Sequence, residues 1–244
     1  MSPFQYIRAV LVLILAPILT LIVSILALID MLMFRRSASK AQVFPRYWGR
    51  IICKIAGVSV KVQGMENIDR EKTYIFAGNH LSQFDILSFQ GYFPHDFRWI
   101  AKKELFKIPI FGHAMRHVEY IPIDRSRGRE ALKSLARAAE RIADGSSVLI
   151  FPEGTRSPDG RLHSFKSGAT MLAIKSGVPV VPIGFNGTYS ILPKGKLLAE
   201  NGEVVIRIGA PIPTTDYTAK DKQELARQLH DRVDELINQE HRPA

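Results

Sequence analysis

A histidine and an aspartate in the first half of the chain have the types and spacing of a general-base pair. His80 and Asp85 lie in the segment 79–85, directly after an apolar run at residues 73–77. A histidine at the end of a buried strand can take up a proton near neutral pH. If the residues between the two turn into a helix, Asp85 can lie back against the imidazole, fix its tautomer and stabilise the imidazolium.

The spacing of this pair is not distinctive by itself, because His230 and Glu235 have the same separation in a polar segment near the C-terminus. We interpret that second pair as solvated surface residues. The position of His80 at the end of a predicted strand is what favours it as the base. Ser82 could be a nucleophile on paper, but a serine in this turn is better explained as a helix cap.

A second chemically informative segment, residues 151–157, reads Phe-Pro-Glu-Gly-Thr-Arg-Ser and begins at the end of a short apolar run. Gly154 permits a tight turn, after which backbone N–H groups, the Thr155 hydroxyl and the Arg156 guanidinium can converge on one anion. A carboxylate beside an anion site is unexpected, so we interpret Glu153 as an acceptor for a substrate hydroxyl or as a brace for Arg156. The alternative is an ordinary strand-to-turn connection with a surface ion pair.

Basic residues also follow two other predicted strands. Arg125 comes shortly after the run 118–123, and Lys102 and Lys103 follow the run 97–101. Each of these side chains alone would be a surface charge. Because the carboxyl ends of parallel strands share one edge of a sheet, three basic strand ends together favour a phosphate pocket there.

Two prolines mark a further predicted strand. Pro179 and Pro182 lie within the run 178–185, and prolines in a strand indicate an edge position or a bulge. The run could be an apolar edge strand without a direct role, or it could form one wall of a groove for an alkyl chain.

The elements that position these residues follow from hydrophobic periodicity. Seven runs rich in β-branched or aromatic residues predict strands at 58–62, 73–77, 97–101, 118–123, 147–151, 178–185 and 204–208. Helical patterns occur at 130–143, 166–175 and 221–238. This alternation predicts an α/β fold with a mainly parallel sheet flanked by helices. Reactive groups in such sheets gather at the carboxyl ends of the strands, where the segments described above lie.

The N-terminal region predicts a hydrophobic, membrane-anchoring helical segment. Residues 9–29 form a stretch of 21 residues without a charge, and roughly 20 such residues cross a bilayer core as a helix. A cleaved signal peptide has a shorter apolar run, so we expect this segment to be retained. Pro17 near its middle could kink the helix, which leaves open whether it spans the bilayer or returns to the same leaflet.

The segment after the apolar run is strongly basic. Residues 31–61 contain seven basic side chains and no acidic one. By the positive-inside rule, this flank and the domain after it lie on the cytoplasmic side of the cytoplasmic membrane. Arg46, Arg50 and Lys54 recur at every fourth position and predict an amphipathic helix on an anionic membrane surface, with a solvated basic helix as the alternative.

Composition excludes several other classes of protein. The 244 residues carry a net charge of +10, and the mean hydropathy of +0.02 is too low for a polytopic membrane protein. The one cysteine, Cys53, excludes an internal disulfide and any metal site that needs several thiolates. Because the basic residues cluster beside the apolar segment, we expect no nucleic-acid partner.

We divide the chain into an N-terminal membrane anchor with a basic amphipathic helix at 1–60 and an α/β domain at 61–244.

Together, the chemically informative segments resemble the glycerolipid acyltransferases, specifically the 1-acylglycerol-3-phosphate acyltransferases of phospholipid synthesis. The resemblance is close over about residues 60–190. It is carried by four groups in the order that the family has: Asn79, His80 and Asp85; Ile123, Asp124 and Arg125; residues 151–156; and Val178, Pro179 and Pro182.

The resemblance implies a mechanism and a set of site residues. His80 and Asp85 would form a catalytic dyad that activates the free hydroxyl of lysophosphatidic acid for attack on the thioester of acyl-CoA or acyl-carrier protein. No metal, cofactor or protein nucleophile is implied, and an oxyanion site is required whose donors the sequence does not identify. Lys103 could replace Lys102 as a phosphate ligand. The implied residues for the phosphate and glycerol are Lys102, Arg125, Glu153, Gly154, Thr155 and Arg156.

Other functions use the same residues differently. An acyltransferase for another lysolipid or for glycerol-3-phosphate would need the same loops, and a thioesterase would use water in place of the alcohol. A non-enzymatic membrane-binding protein explains residues 1–61 but not the segments 79–85 and 151–157. The expected partners are membrane lipid, the lysophosphatidic acid acceptor, the thioester donor and an anionic membrane surface.

Overall fold

The computed structural model describes residues 2–124 and 129–237. Its strands are β1 (Val58–Gln63), β2 (Ile75–Gly78), β3 (Arg98–Lys102), β4 (Ile121–Ile123), β5 (Val148–Ile150), β6 (Val180–Asn186) and β7 (Gly202–Ile208). Its α-helices are α1 (Pro3–Met33), α2 (Ala38–Ala41), α3 (Val43–Ala56), α4 (Gln83–Tyr92), α5 (Phe111–His117), α6 (Arg129–Ala143), α7 (Ser167–Ser176), α8 (Thr188–Ile191) and α9 (Lys222–Leu236).

The described strands form one sheet in the order β1-β7-β6-β2-β5-β3-β4. Every neighbouring pair is parallel except β6 and β7, which are antiparallel. Each predicted strand and each predicted helix is present, with bounds shifted by a few residues. The prediction of an α/β fold with a mainly parallel sheet and an N-terminal apolar helix is confirmed.

Helices cover both faces of the sheet, as the alternation of buried side chains in β2 requires. Phe76 points into a core that contains Phe84, Phe89 and Trp99 and lies under α1, α3 and α4. Ile75 and Ala77 point to the opposite face, into a core with residues of α6, α7 and α9. Successive strand residues face opposite sides of a sheet, so a strand buried on both faces is apolar throughout.

The predicted edge position of the proline-containing strand is wrong. β6 lies inside the sheet, between β7 and β2. Pro182, which has no N–H to donate, lies just beyond the last regular pair of β6 and β7, Ile183 and Ile208. Its carbonyl accepts the N–H of Gly209, just after β7 ends, and pairing resumes only at the bridge between Val180 and Ile212. The alternative expectation of a bulge is therefore closer to the observed geometry.

The apolar helix α1 is one continuous element through Pro17. Among the described residues, it is the one helix long and apolar enough to cross a bilayer, and only 17% of its most apolar window is buried. A stripe that includes Ala9, Val12 and Ala27 packs against α3 and α5, while the remaining surface is exposed and largely aliphatic.

Polar contacts fix both ends of α1 to the α/β domain. Near its start, the Gln5 amide donates to Oδ1 of Asn201 at 2.7 Å. Near its end, Asp30 is 2% exposed and pairs with Nε2 of His117 at 3.2 Å and with Nε of Arg36 at 3.1 Å. The helix therefore docks along the domain over most of its length.

Candidate active site

The helix α4 brings His80 and Asp85 together. Ser82 is the N-cap of this helix, as predicted, and its hydroxyl accepts the N–H of Phe84. The first turn of α4 returns Asp85 to the residues that precede the helix, where Oδ2 accepts the N–H groups of Leu81 and Ser82 at 2.7 and 2.8 Å. The same oxygen lies 2.8 Å from Nδ1 of His80.

The pair is oriented for proton exchange with a bound molecule. The Asp85 side chain is fully buried, whereas 13% of the His80 side chain is exposed. Because the carboxylate engages Nδ1, the nitrogen left to exchange a proton is Nε2. A buried carboxylate in this position fixes the tautomer and stabilises the imidazolium.

The Phe151 ring supports the imidazole from one face. The two rings are parallel within 7°, with centroids 3.8 Å apart. Phe151 follows β5, which pairs with β2, so the ends of these neighbouring strands place the two rings side by side. Sequence reasoning missed this contact, because the adjacency of β2 and β5 is a long-range property of the sheet.

The segment after Phe151 wraps around the backbone of His80. The His80 N–H donates to Oε1 of Glu153 at 2.7 Å, and the His80 carbonyl accepts the N–H of Ser157 at 2.7 Å. The second Glu153 oxygen accepts the N–H of His163 at 3.2 Å. Both oxygens of this carboxylate therefore bind backbone groups, which differs from the expected brace for Arg156.

Burial controls the protonation of Glu153. The pKa of this carboxyl is raised to about 7, mainly by desolvation and to a smaller extent by the nearby Asp85. The two backbone N–H donors and the His163 side chain act in the opposite direction. The carboxyl is therefore partly protonated near neutral pH.

The other residues of the predicted phosphate loop are more open to solvent. Thr155 is exposed and Arg156 is half-buried. Nζ of Lys194, in the loop after α8, lies 3.0 Å from the Arg156 carbonyl and 3.4 Å from the Thr155 hydroxyl. Sequence reasoning missed Lys194, because no local pattern shows that the loop after α8 reaches this segment.

The two candidate lysines at the end of β3 have different surroundings. Lys102 lines the same cavity as His80 and Gly154. Nζ of Lys103 instead donates to Oδ2 of Asp124 at 2.5 Å. The placement favours Lys102 over Lys103 as the residue available to a ligand. Arg125 lies outside the described residues.

A cavity of about 550 Å³ opens beside His80. Its lining is predominantly apolar and includes Trp99 and Ile100 of β3 and Met115 of α5. The helix α1 forms part of the wall, through Ala16, Thr20, Val23, Ser24 and Ala27. Sequence reasoning assigned α1 to a membrane and did not predict this second role.

No group of three or more His, Cys, Asp or Glu side chains is placed to hold a metal ion within residues 2–124 and 129–237.

Comparisons with known proteins identify one family. The family model named Acyltransferase matches residues 59–186. The chloroplastic 1-acyl-sn-glycerol-3-phosphate acyltransferase BAT2 of Brassica napus is 40% identical over 153 residues, which are 62% of this chain and 44% of that protein. The 1-acyl-sn-glycerol-3-phosphate acyltransferase of Pseudomonas aeruginosa is 38% identical over 157 residues, or 64% of this chain and 60% of that one. The chain thus spans less than two thirds of either relative.

One solved structure is similar over most of its length. It is the crystal structure of the 1-acyl-sn-glycerophosphate acyltransferase PlsC from Thermotoga maritima. The TM-score is 0.69 at 30% sequence identity, and the match covers 91% of this chain and 96% of that one.

Proposed function

This chain belongs to the acyltransferase family, and we propose that it transfers a fatty acyl group from a thioester to the sn-2 hydroxyl of 1-acyl-sn-glycerol-3-phosphate, which gives phosphatidic acid. The observation that carries the proposal is the His80 and Asp85 pair at the wall of an apolar cavity, with a cationic loop beside it. The relatives from Brassica napus and Pseudomonas aeruginosa are both named 1-acyl-sn-glycerol-3-phosphate acyltransferase.

The reaction needs one base and no covalent enzyme intermediate. As the acceptor oxygen attacks the thioester carbonyl carbon, Nε2 of His80 takes the hydroxyl proton and Asp85 stabilises the imidazolium. The tetrahedral intermediate then collapses, the carbon–sulfur bond breaks, and the departing thiolate takes the proton back from His80. Because the thioester is already activated, we expect neither a metal ion nor an organic cofactor to be required.

The acceptor phosphate fits the basic segment next to His80. Arg156 offers a planar pair of donors, and the Thr155 hydroxyl and the backbone after Gly154 lie in the same loop. Lys102, at the end of β3, lines the cavity that opens beside His80. Arg125 completes the proposed phosphate-binding set on the basis of its motif.

The apolar cavity suits the fatty acyl chain. Small-molecule sites have volumes of about 300–1,000 Å³ and apolar linings with few polar groups, and this cavity of about 550 Å³ has that character. Each methylene that leaves water contributes about 0.8 kcal/mol. The chain length that fills the cavity is therefore expected to set the preferred donor.

The N-terminal helices fit a membrane surface. α1 presents an aliphatic face, and α3 exposes Tyr47 and Ile51 beside Arg50 and Lys54. Since both ends of α1 are fixed to the domain, a helix that crossed the bilayer would pull polar parts of the domain into the hydrocarbon. This arrangement favours insertion into one leaflet, and the basic flank favours the cytoplasmic side of the cytoplasmic membrane.

An acyl-transfer assay tests the proposed function. The full chain, in mixed micelles or vesicles, is incubated with labelled acyl-CoA or acyl-carrier protein and with lysophosphatidic acid, other lysolipids or glycerol-3-phosphate. Phosphatidic acid is the expected product, formed without added metal and unaffected by a chelator. Preferential acylation of another acceptor, or release of mainly free fatty acid in the presence of lysophosphatidic acid, would contradict the proposal.

A further inference from the structure

Glu153 lies in the proposed phosphate loop, but its carboxylate faces the protein backbone. The residue is 5% exposed, and it does not line the cavity that His80 and Gly154 share. Oε1 accepts the N–H of His80 and Oε2 accepts the N–H of His163, so each oxygen holds a different segment of the chain. The His80 carbonyl accepts the N–H of Ser157, so both backbone polar groups of His80 form hydrogen bonds with this loop.

From this geometry we propose that Glu153 is a positioning residue for His80 and not a ligand of the acceptor. The inference rests on the proposed acyl transfer at His80. The carboxylate ties the backbone of the base to the loop that carries Gly154, Thr155 and Arg156. Acceptor binding on that loop and the placement of Nε2 are thereby coupled.

Charge and space both disfavour a direct contact between Glu153 and the acceptor. A phosphate monoester is anionic, so a second anion pointing at it would repel it. Removal of the buried carboxylate from its two backbone donors would leave those N–H groups without partners, which is costly in the interior. The exposed Thr155 and half-buried Arg156 are better placed for the ligand.

Protonation of Glu153 weakens its hydrogen bonds to the backbone N–H groups of His80 and His163. A neutral carboxyl has one hydroxyl, which donates and cannot accept a backbone N–H with full strength. Burial raises the pKa of Glu153 to about 7. Both hydrogen bonds are therefore at full strength above that pH and are weakened below it. The ionisable groups around it are His80 and Asp85 on one side and His163 and Lys166 on the other, with Asp159 paired to His163.

The test separates effects on turnover from effects on acceptor binding. Glu153→Gln keeps the side-chain shape but replaces one acceptor oxygen by a donor. We expect kcat to fall by about 10- to 100-fold, since a small misplacement of a catalytic group costs on the order of 10²-fold. The acceptor KM should stay within about threefold. Glu71→Gln, at an exposed position outside the site, is the matched control and should leave both constants unchanged.

A pH series adds a second readout. The ratio of wild-type kcat to Glu153→Gln kcat should rise between pH 6 and pH 8, because only the wild-type residue gains its second acceptor by ionising. A constant ratio would contradict the proposed role, as would a raised acceptor KM with normal kcat, which is the behaviour of a ligand.

A folding control keeps the inference testable. If Glu153→Gln does not fold, Glu153→Asp is measured in its place, since a shorter carboxylate cannot reach both backbone groups and should lower kcat. Failure of both variants to fold would overturn the inference, because Glu153 would then support the whole domain. Absence of acyl transfer by the wild-type protein would instead refute the proposed function itself.

Discussion

The His80 imidazole lies flat on the Phe151 ring, with centroids 3.8 Å apart and ring planes inclined by 7°. Together with the Asp85 carboxylate at Nδ1, the stack leaves the imidazole little freedom to rotate. Phe151 itself packs on Trp99 and Phe185, so the aromatic core of the sheet extends to the proposed base.

Loss of the stack should slow transfer without unfolding the protein. Aromatic pairs contribute about 0.5–1.5 kcal/mol beyond their buried area. Phe151→Leu should therefore lower kcat by roughly 3- to 10-fold, measured at saturating donor and acceptor. Phe151→Tyr keeps the ring and is the control. Equal activity of the leucine and tyrosine variants would show that the stack has no role in positioning His80.

Binding of the acceptor phosphate should depend on Arg156. Hydrogen bonds to charged groups contribute about 1.5–3 kcal/mol, so Arg156→Ala should raise the acceptor KM by about 10- to 150-fold. Arg161→Ala, at an exposed position in the same loop, serves as the control. Titration with lysophosphatidic acid gives both constants. An unchanged acceptor KM for Arg156→Ala would remove this residue from the phosphate site.

The wall that α1 contributes to the cavity should influence the preferred acyl chain. Ala27 is buried and lines the cavity. Ala27→Met fills part of that volume, so the optimum should move to shorter donors, by about fourfold in relative rate per methylene that no longer fits. Competition between donors of different length measures the shift. The same length profile in variant and wild type would place the acyl chain elsewhere.

The buried Asp30 should stabilise the docking of α1. Breaking a buried ion pair by removing one charge costs about 3–5 kcal/mol, and partial exposure of Arg36 reduces that figure here. Asp30→Asn should lower the thermal unfolding midpoint in detergent by several degrees. Asp144→Asn, at an exposed site, should leave the midpoint unchanged. A midpoint unaltered by Asp30→Asn would mean that the Asp30 ion pair does not hold α1 on the domain.

Local features of the fold were predictable from the sequence, because they depend on short-range patterns. β2, β5 and β7 follow from β-branched and aromatic runs, and the cap at Ser82 explains how Asp85 returns to His80. Both depend on neighbours within a few positions, where periodicity and capping act.

Long-range features were not predictable in the same way. The inner position of β6 depends on its antiparallel pairing with β7. No sequence pattern around Pro182 indicates that pairing. The approach of Lys194 to Arg156 depends on how the loop after α8 returns to the sheet edge. The exposed aliphatic residues of α1 predicted lipid contact, while the small residues on its other side gave no sign that they line a cavity.

The most direct test of the account is the transfer rate of His80→Gln beside His230→Gln. General-base catalysis contributes about 10²–10⁴-fold, so the first variant should lose at least 10²-fold in kcat while it stays folded and membrane-bound. His230 has the same spacing to an acidic residue but lies on α9, far along the chain from the site, and its variant should keep wild-type activity. Activity of His80→Gln within a few-fold of wild type would contradict the assignment of His80 as the base.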